Sequence, residues 1–128
     1  MAGYSTNIER DTLENEDFRR VLFTGKHTQL VLMTLKPGEE IGQEVHDSVD
    51  QFFRIEAGTG EAVVVGERTA PRGGKVVVTP PGARQNIINP SATESLRLYT
   101  LYSPPNHPDG TVHKTKAEAD EYEKHHHG

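Results

Sequence analysis

An all-β fold is what this sequence predicts. Three observations predict it: short runs of alternating or β-branched apolar residues, turn signals at intervals of roughly ten residues, and a supply of 12 Gly and 8 Pro to make those turns. The chain of 128 residues is sized for a single domain, 1–128. Hydrophobic residues make up 33 %, a low share for a globular domain. Apolar side chains must therefore be used economically, and a closed or sandwiched antiparallel β domain does that.

Taken in order, residues 1–14 are polar and read as an arm. Phe18, Val21, Leu22 and Phe23 start either a strand or an amphipathic turn, and the pattern does not choose. Residues 27–35 read as a strand in which Val31, Met33 and Leu35 alternate while Leu30 and Leu32 make the other face apolar too. A strand buried on both sides implies a second layer or a partner subunit. Lys36-Pro37-Gly38 is a turn. Two short strand-like runs follow, 41–46 and 51–56, joined by a polar turn at 47–50. Residues 62–65 form another strand, 66–74 a loop rich in charge, Gly and Pro, and 75–79 a β-branched strand that Pro80-Pro81-Gly82 stops. Residues 84–89 give a further strand with Gln85, Ile87 and Asn89 on one face. After Asn89-Pro90, Leu96, Leu98, Thr100 and Tyr102 alternate cleanly. Residues 103–110 are an irregular Pro-rich crossing. The tail, 115–124, is a predicted helix: Thr115-Lys116-Ala117-Glu118 is a capping-box signature, and Ala117 and Ala119 are good helix formers.

The chemistry is concentrated in PGEEIGQEVHDSVDQFFRIEAGTG, residues 37–60. Glu44 and His46 share a strand face, as do Gln51, Phe53 and Ile55. If the two runs pair as neighbouring strands, Glu44, His46 and Gln51 converge in one interior. An interior Glu44 needs a metal, a hydrogen-bonding network or protonation, because a buried carboxylate without a partner is costly. It is also the candidate general base. Elsewhere, Tyr99 and Tyr102 read as core packing, with the pocket mouth or an interface as the alternative, His107 and His113 as loop caps or partner contacts, and His125 to His127 as a solvated tail. The formal charge of −5 argues against attraction to nucleic acid or anionic membrane. Cys 0 excludes disulfides, thiolate catalysis and zinc–thiolate sites. With no long apolar run and no charged apolar leader, a cytoplasmic setting is expected.

The residues between 36 and 102 resemble the cupins, small jelly-roll β-barrels. Gly38, Glu44, His46, Gln51 and Gly58 stand at the spacing of the first cupin motif, and Gly74, Pro80, Gly82 and Asn89 at that of the second. Glu44 takes the place of the first motif's first His, Gln51 that of its Glu, and Gln85 that of the second motif's His. The tail SPPNHPDGTVHKTKAEADE is similar to that of small single-domain bacterial and archaeal cupins, some loosely labelled mannose-6-phosphate isomerase-like. That label reflects the shared barrel rather than a substrate. The resemblance implies a jelly roll with a short C-terminal helix and a divalent metal on Glu44, His46, Gln51 and Gln85. One carboxylate, one imidazole and two amides suit Mn²⁺ best and Zn²⁺, Fe²⁺ or Ni²⁺ less. Gln85, Phe53, Ile87 and Leu98 would line a small-molecule pocket. The alternative is a metal-free pocket for a sugar or organic acid. Family habit and the doubly apolar strand together lead us to expect a homodimer.

Overall fold

The computed structural model describes residues 3–126, the last two by backbone alone. His127 and the side chains of His125 and His126, read above as a solvated tail, lie outside it. Ten strands form two antiparallel sheets. They are β1 (Arg19–Thr24), β2 (Gln29–Leu35), β3 (Glu44–Val45), β4 (Asp50–Ala57), β5 (Glu61–Val64), β6 (Glu67–Thr69), β7 (Val76–Thr79), β8 (Arg84–Ile88), β9 (Leu96–Ser103) and β10 (Val112–His113). One sheet has the order β10-β1-β2-β9-β4-β7 and the other β3-β8-β5-β6. Two helices flank them, α1 (Ile8–Glu14) and α2 (Lys116–His126). The fold is an all-β jelly roll of two antiparallel sheets with a short C-terminal helix.

The core lies between the sheets. Val31, Met33 and Leu35 of β2, Phe53 and Ile55 of β4, and Leu96 and Leu98 of β9 meet Ala62 of β5 and Ile87 of β8. The period-2 alternation of β9 is kept in full, with Leu96, Leu98, Thr100 and Tyr102 buried. Asn89 fastens the sheets at one end. Its Nδ2 donates to the carbonyls of Leu35, Lys36 and Glu94 at 3.0, 3.1 and 2.8 Å, and its Oδ1 accepts from Ser91 N–H at 3.1 Å. The capping box of α2 also forms. Thr115 Oγ1 accepts from Glu118 N–H at 3.1 Å, and the Glu118 carboxylate reaches back to Lys114 N–H at 2.9 Å.

Four local readings change. The polar arm carries a helix, α1, begun by Asn7, whose side chain accepts from Arg10 N–H, with Glu9 and Asp11 in its first turn. Asn15, just after it, bonds Thr34 on the outer face of β2 at 3.1 Å. The second apolar face of β2 is thus met in part from within the chain. The 66–74 loop contains β6, joined to β5 by Val65 (φ 49) and Gly66 (φ 81), a two-residue connection of the type I′ kind. The 41–46 run shrinks to the two residues of β3, because the chain turns at Gly42 (φ 106). Finally, the two motif runs do not pair with each other. β3 pairs with β8 in the small sheet, and β4 with β7 and β9 in the large one.

Gly58 has φ +88, and a Cβ there would come within 2.7 Å of the Ser95 carbonyl oxygen, whereas at Gly38 (φ +78) nothing lies within 4 Å. Gly38→Ala should therefore cost only the left-handed penalty of about 1–2 kcal/mol. Gly58→Ala should cost clearly more, because backbone must move as well. Urea midpoints of the two variants check this; equal losses would mean the close approach is not rigid.

Candidate functional site

The site is assembled across the sandwich. Glu44 lies opposite Gln85 in the β3–β8 register, and Gln51 lies opposite Thr79 and Tyr102 in β7 and β9. Gln85 Nε2 donates to Gln51 Oε1 at 2.6 Å, a bond from one sheet to the other, and Gln51 Nε2 donates to Thr100 Oγ1 at 3.0 Å. Glu44 Oε1 stands 3.5 Å from His46 Nε2, too far for a good hydrogen bond. Four expected residues, Glu44, His46, Gln51 and Gln85, are therefore brought together, though by inter-sheet contact rather than by a hairpin.

They are not equivalent. Gln51 and Gln85 are buried, while the Glu44 and His46 side chains keep 23 % and 16 % exposure. Glu44 is thus partly solvated and not the stranded carboxylate an apolar interior would have required. Glu44 and His46 line a cavity of about 630 Å³ between β3, the 106–108 crossing and α2, with His107, Lys116, Asp120 and Glu123 on the other walls. Phe53, Ile87 and Leu98 do not line it. They are 1 %, 1 % and 0 % exposed and belong to the core.

Four residues that the sequence did not assign to the site lie beside it. Tyr102 is fully buried, its ring edge-on to both His46 and His107 at 5.9 and 5.0 Å. Its hydroxyl is 3.2 Å from His107 Nε2. Arg19, 2 % exposed, reaches His113 Nδ1 with its guanidinium at 3.4 Å. Burial pushes the Tyr102 phenol far above its usual pKa; Arg19 opposes this and Glu44 adds to it. Burial, reinforced by Arg19, His113 and His46, holds His107 down at about 3, so it stays neutral. Burial and Arg19 also lower His113, against the carboxylates of Glu118 and Glu123. The crossing that carries His107 is tied to β2 by Gln29. Its Oε1 accepts from Asn106 and His107 N–H, both at 3.0 Å, and its Nε2 donates to His107 O at 2.8 Å.

As donors for a divalent cation, the four motif residues fit poorly. Only one of them is a carboxylate, and the Gln51 oxygen is already accepting a hydrogen bond from Gln85 Nε2. Among the described residues no group of three or more His, Cys, Asp or Glu is placed to hold a metal ion. The buried Arg19 guanidinium adds a fixed positive charge bearing on Tyr102, the neighbour of His46. Among the described residues five buried side-chain polar atoms have no hydrogen-bond partner within the protein: Arg19 Nε, His46 Nε2, Arg54 Nε, Thr79 Oγ1 and Gln85 Oε1.

A two-sheet jelly roll with glycine-framed motifs turning polar side chains into its interior defines a cupin. The cupin domain family matches residues 31–102, and the chain belongs to it. It is 46 % identical over 123 residues to Bacillus subtilis (strain 168) YrkC, covering 91 % of this chain and 65 % of YrkC, so it spans just under two thirds of that relative. It is 44 % identical over 112 residues to protein L612 of Acanthamoeba polyphaga mimivirus, covering 85 % of this chain and 70 % of L612. The crystal structure of BH2720 from Bacillus halodurans superposes with a TM-score of 0.89 at 39 % identity, covering 92 % of this chain and 93 % of that one. No described helix is long and apolar enough to cross a membrane.

The His107 environment sets an acid limit on stability. The folded ring resists protonation while the unfolded ring takes a proton near pH 6.5, so the unfolded chain binds more protons below that pH. Stability is therefore full above about pH 6.5 and falls as pH drops toward about 3, by up to ~1.4 kcal/mol per pH unit for this one group. Urea midpoints between pH 7 and 4 check this. His107→Gln should flatten part of the slope, and an unchanged slope would assign it to other groups.

Proposed function

We propose that the interior of this cupin is a metal-free binding site for a small polar molecule. The observation that carries this reading is His46 Nε2, a buried polar atom without a hydrogen-bond partner among the described residues, beside Glu44 on the wall of the cavity; Thr79 Oγ1 and Gln85 Oε1 are likewise unpartnered but do not line it. Buried polar groups are almost always satisfied, and a hydroxyl-bearing ligand offers both donors and acceptors to His46 and Glu44. The Gln85–Gln51 bond favours this over a metal centre, because the Gln51 oxygen already accepts a hydrogen bond at 2.6 Å and only one of the four motif side chains is a carboxylate.

Sugars and organic acids fit within the cavity of about 630 Å³. Thermal-shift measurements across such a panel should find compounds that raise the melting temperature of the native chain. At 100 times Kd the gain is about 2.7 kcal/mol. Glu44→Ala, at the mouth of the site, should reduce these shifts; equal shifts in both proteins would place binding elsewhere.

Metal content tests the other half. After loading with Mn²⁺, Fe²⁺, Ni²⁺ or Zn²⁺ and desalting, the native chain should hold less than about a tenth of an equivalent, since structured sites bind stoichiometrically. Gln85→Ala should hold no more. Gln85→His supplies a second imidazole and frees Gln51, and should bring occupancy toward about one equivalent. Stoichiometric Mn²⁺ in the native chain would overturn the metal-free reading.

A further inference from the structure

We infer that β7 is an interaction edge and that its partner is a second copy of this chain. The two β7 strands pair antiparallel across a two-fold axis at Val77 and join the two large sheets edge to edge.

The two sheets of one chain have four edges: β10, β7, β3 and β6. Three of them are blunted. β3 and β10 are two residues long. β6 presents Glu67 and Arg68, both exposed, and charge along an edge opposes pairing. β7 has neither protection. It reads Val76-Val77-Val78-Thr79, with no charge or proline inside it, and Val76 and Val78 are 46 % and 58 % exposed. An exposed, apolar, uncharged edge is the kind that pairs with another chain. β2, whose two apolar faces led us to expect a homodimer, lies between β1 and β9 and has no edge to offer.

The backbone agrees. Ile55 N–H donates to the Lys75 carbonyl at 3.0 Å, and bonded and non-bonded pairs alternate along an antiparallel ladder. In the β4–β7 register, Phe53 with Val77 and Gln51 with Thr79 are therefore the pairs that exchange hydrogen bonds. The N–H and C=O groups of Val76 and Val78 point away from β4, and among the described residues they have no backbone partner.

These open groups are self-complementary. Val76 and Val78 stand symmetrically about Val77. With Val77 opposite Val77 of the second copy, Val76 meets Val78 of that copy and Val78 meets its Val76. Both are pairs of the hydrogen-bonded kind, so every outward N–H finds a carbonyl. The valines on the outer face become β-branched cross-strand neighbours, which stabilises the pairing. Lys75 falls opposite Thr79 of the second copy rather than opposite another lysine, so no like charges meet. The contact is isologous and closes at two chains.

Sedimentation equilibrium at micromolar concentration should find the native chain a dimer. Val78→Lys leaves the β4 bonds intact and should raise the dimer dissociation constant at least about tenfold, with the melting temperature of the monomer near native. Val112→Lys, on the opposite edge of the same sheet, should leave the dimer unchanged. Cross-linking checks the register. The chain has no cysteine, so Val77→Cys places a single thiol at the two-fold axis, where facing Cα atoms of a non-hydrogen-bonded pair lie about 4.5 Å apart, within disulfide reach. Mild oxidation should give a covalent dimer. Val76→Cys, whose two copies stand two residues out of register, should not. A native monomer, a dimer weakened no more by Val78→Lys than by Val112→Lys, or a dimer that Val77→Cys fails to cross-link would overturn the proposal.

Discussion

The arrangement depends on one hydrogen bond that crosses the sandwich, from Gln85 on β8 to Gln51 on β4 at 2.6 Å. Facing sheets pack about 10 Å apart, so a direct bond between them needs two long polar side chains aimed at each other with no apolar layer between. Its net contribution is modest, about 1 kcal/mol, but each amide is buried and would be left unsatisfied without the other. That asymmetry fixes the pair. Gln85 in turn fixes Glu44, its register partner across β3–β8, and Gln51 fixes the strand position of Tyr102, its partner across β4–β9.

From that fixed pair the electrostatics follow. The amides carry no charge, so the interior's net field comes from groups beside them: Arg19 on one side of Tyr102 and Glu44 on the other. Burial and Arg19 hold the His107 imidazole neutral and lower that of His113. The result is a polar but weakly charged pocket floor with one uncompensated cation behind it. Such a floor suits hydrogen bonding to a small molecule better than ligation of a hard cation, which prefers anionic oxygen.

Much of this was legible in the sequence, and the rest was hidden for identifiable reasons. The β9 alternation, the Pro80-Pro81-Gly82 stop and the Thr115 capping box are local signals, and each became the expected element. Glu44, His46, Gln51 and Gln85 were recognisable because the glycine and proline spacings of the cupin motifs set their place. The strand pairing was not recognisable. Neighbouring runs joined by a short turn suggest a hairpin, but Gly42 turns the chain so that β3 enters the other sheet. Helix α1 has few apolar residues, and its signal was Asn7 followed by Glu9 and Asp11. Arg19, His107 and His113 had no local signature at all, and the alternation that marked Tyr102 as buried did not show that it meets His46 and His107. Arg19 and His113 meet through the β1–β10 register, and an arginine near a strand end reads as a surface residue until its neighbours are known.

A fold that keeps a buried, uncompensated charge must be stable enough elsewhere to tolerate it, and the division of labour is visible. At the Asn89 end every polar group of the clasp is paired, and the aliphatic core is closed. At the other end β3 is two residues long, β10 is two residues long, and the crossing between β9 and β10 is tied to the sheet by Gln29 of β2 and Tyr102 of β9. Stability is thus concentrated away from the site, while the site retains unpaired groups that a tighter packing would have eliminated.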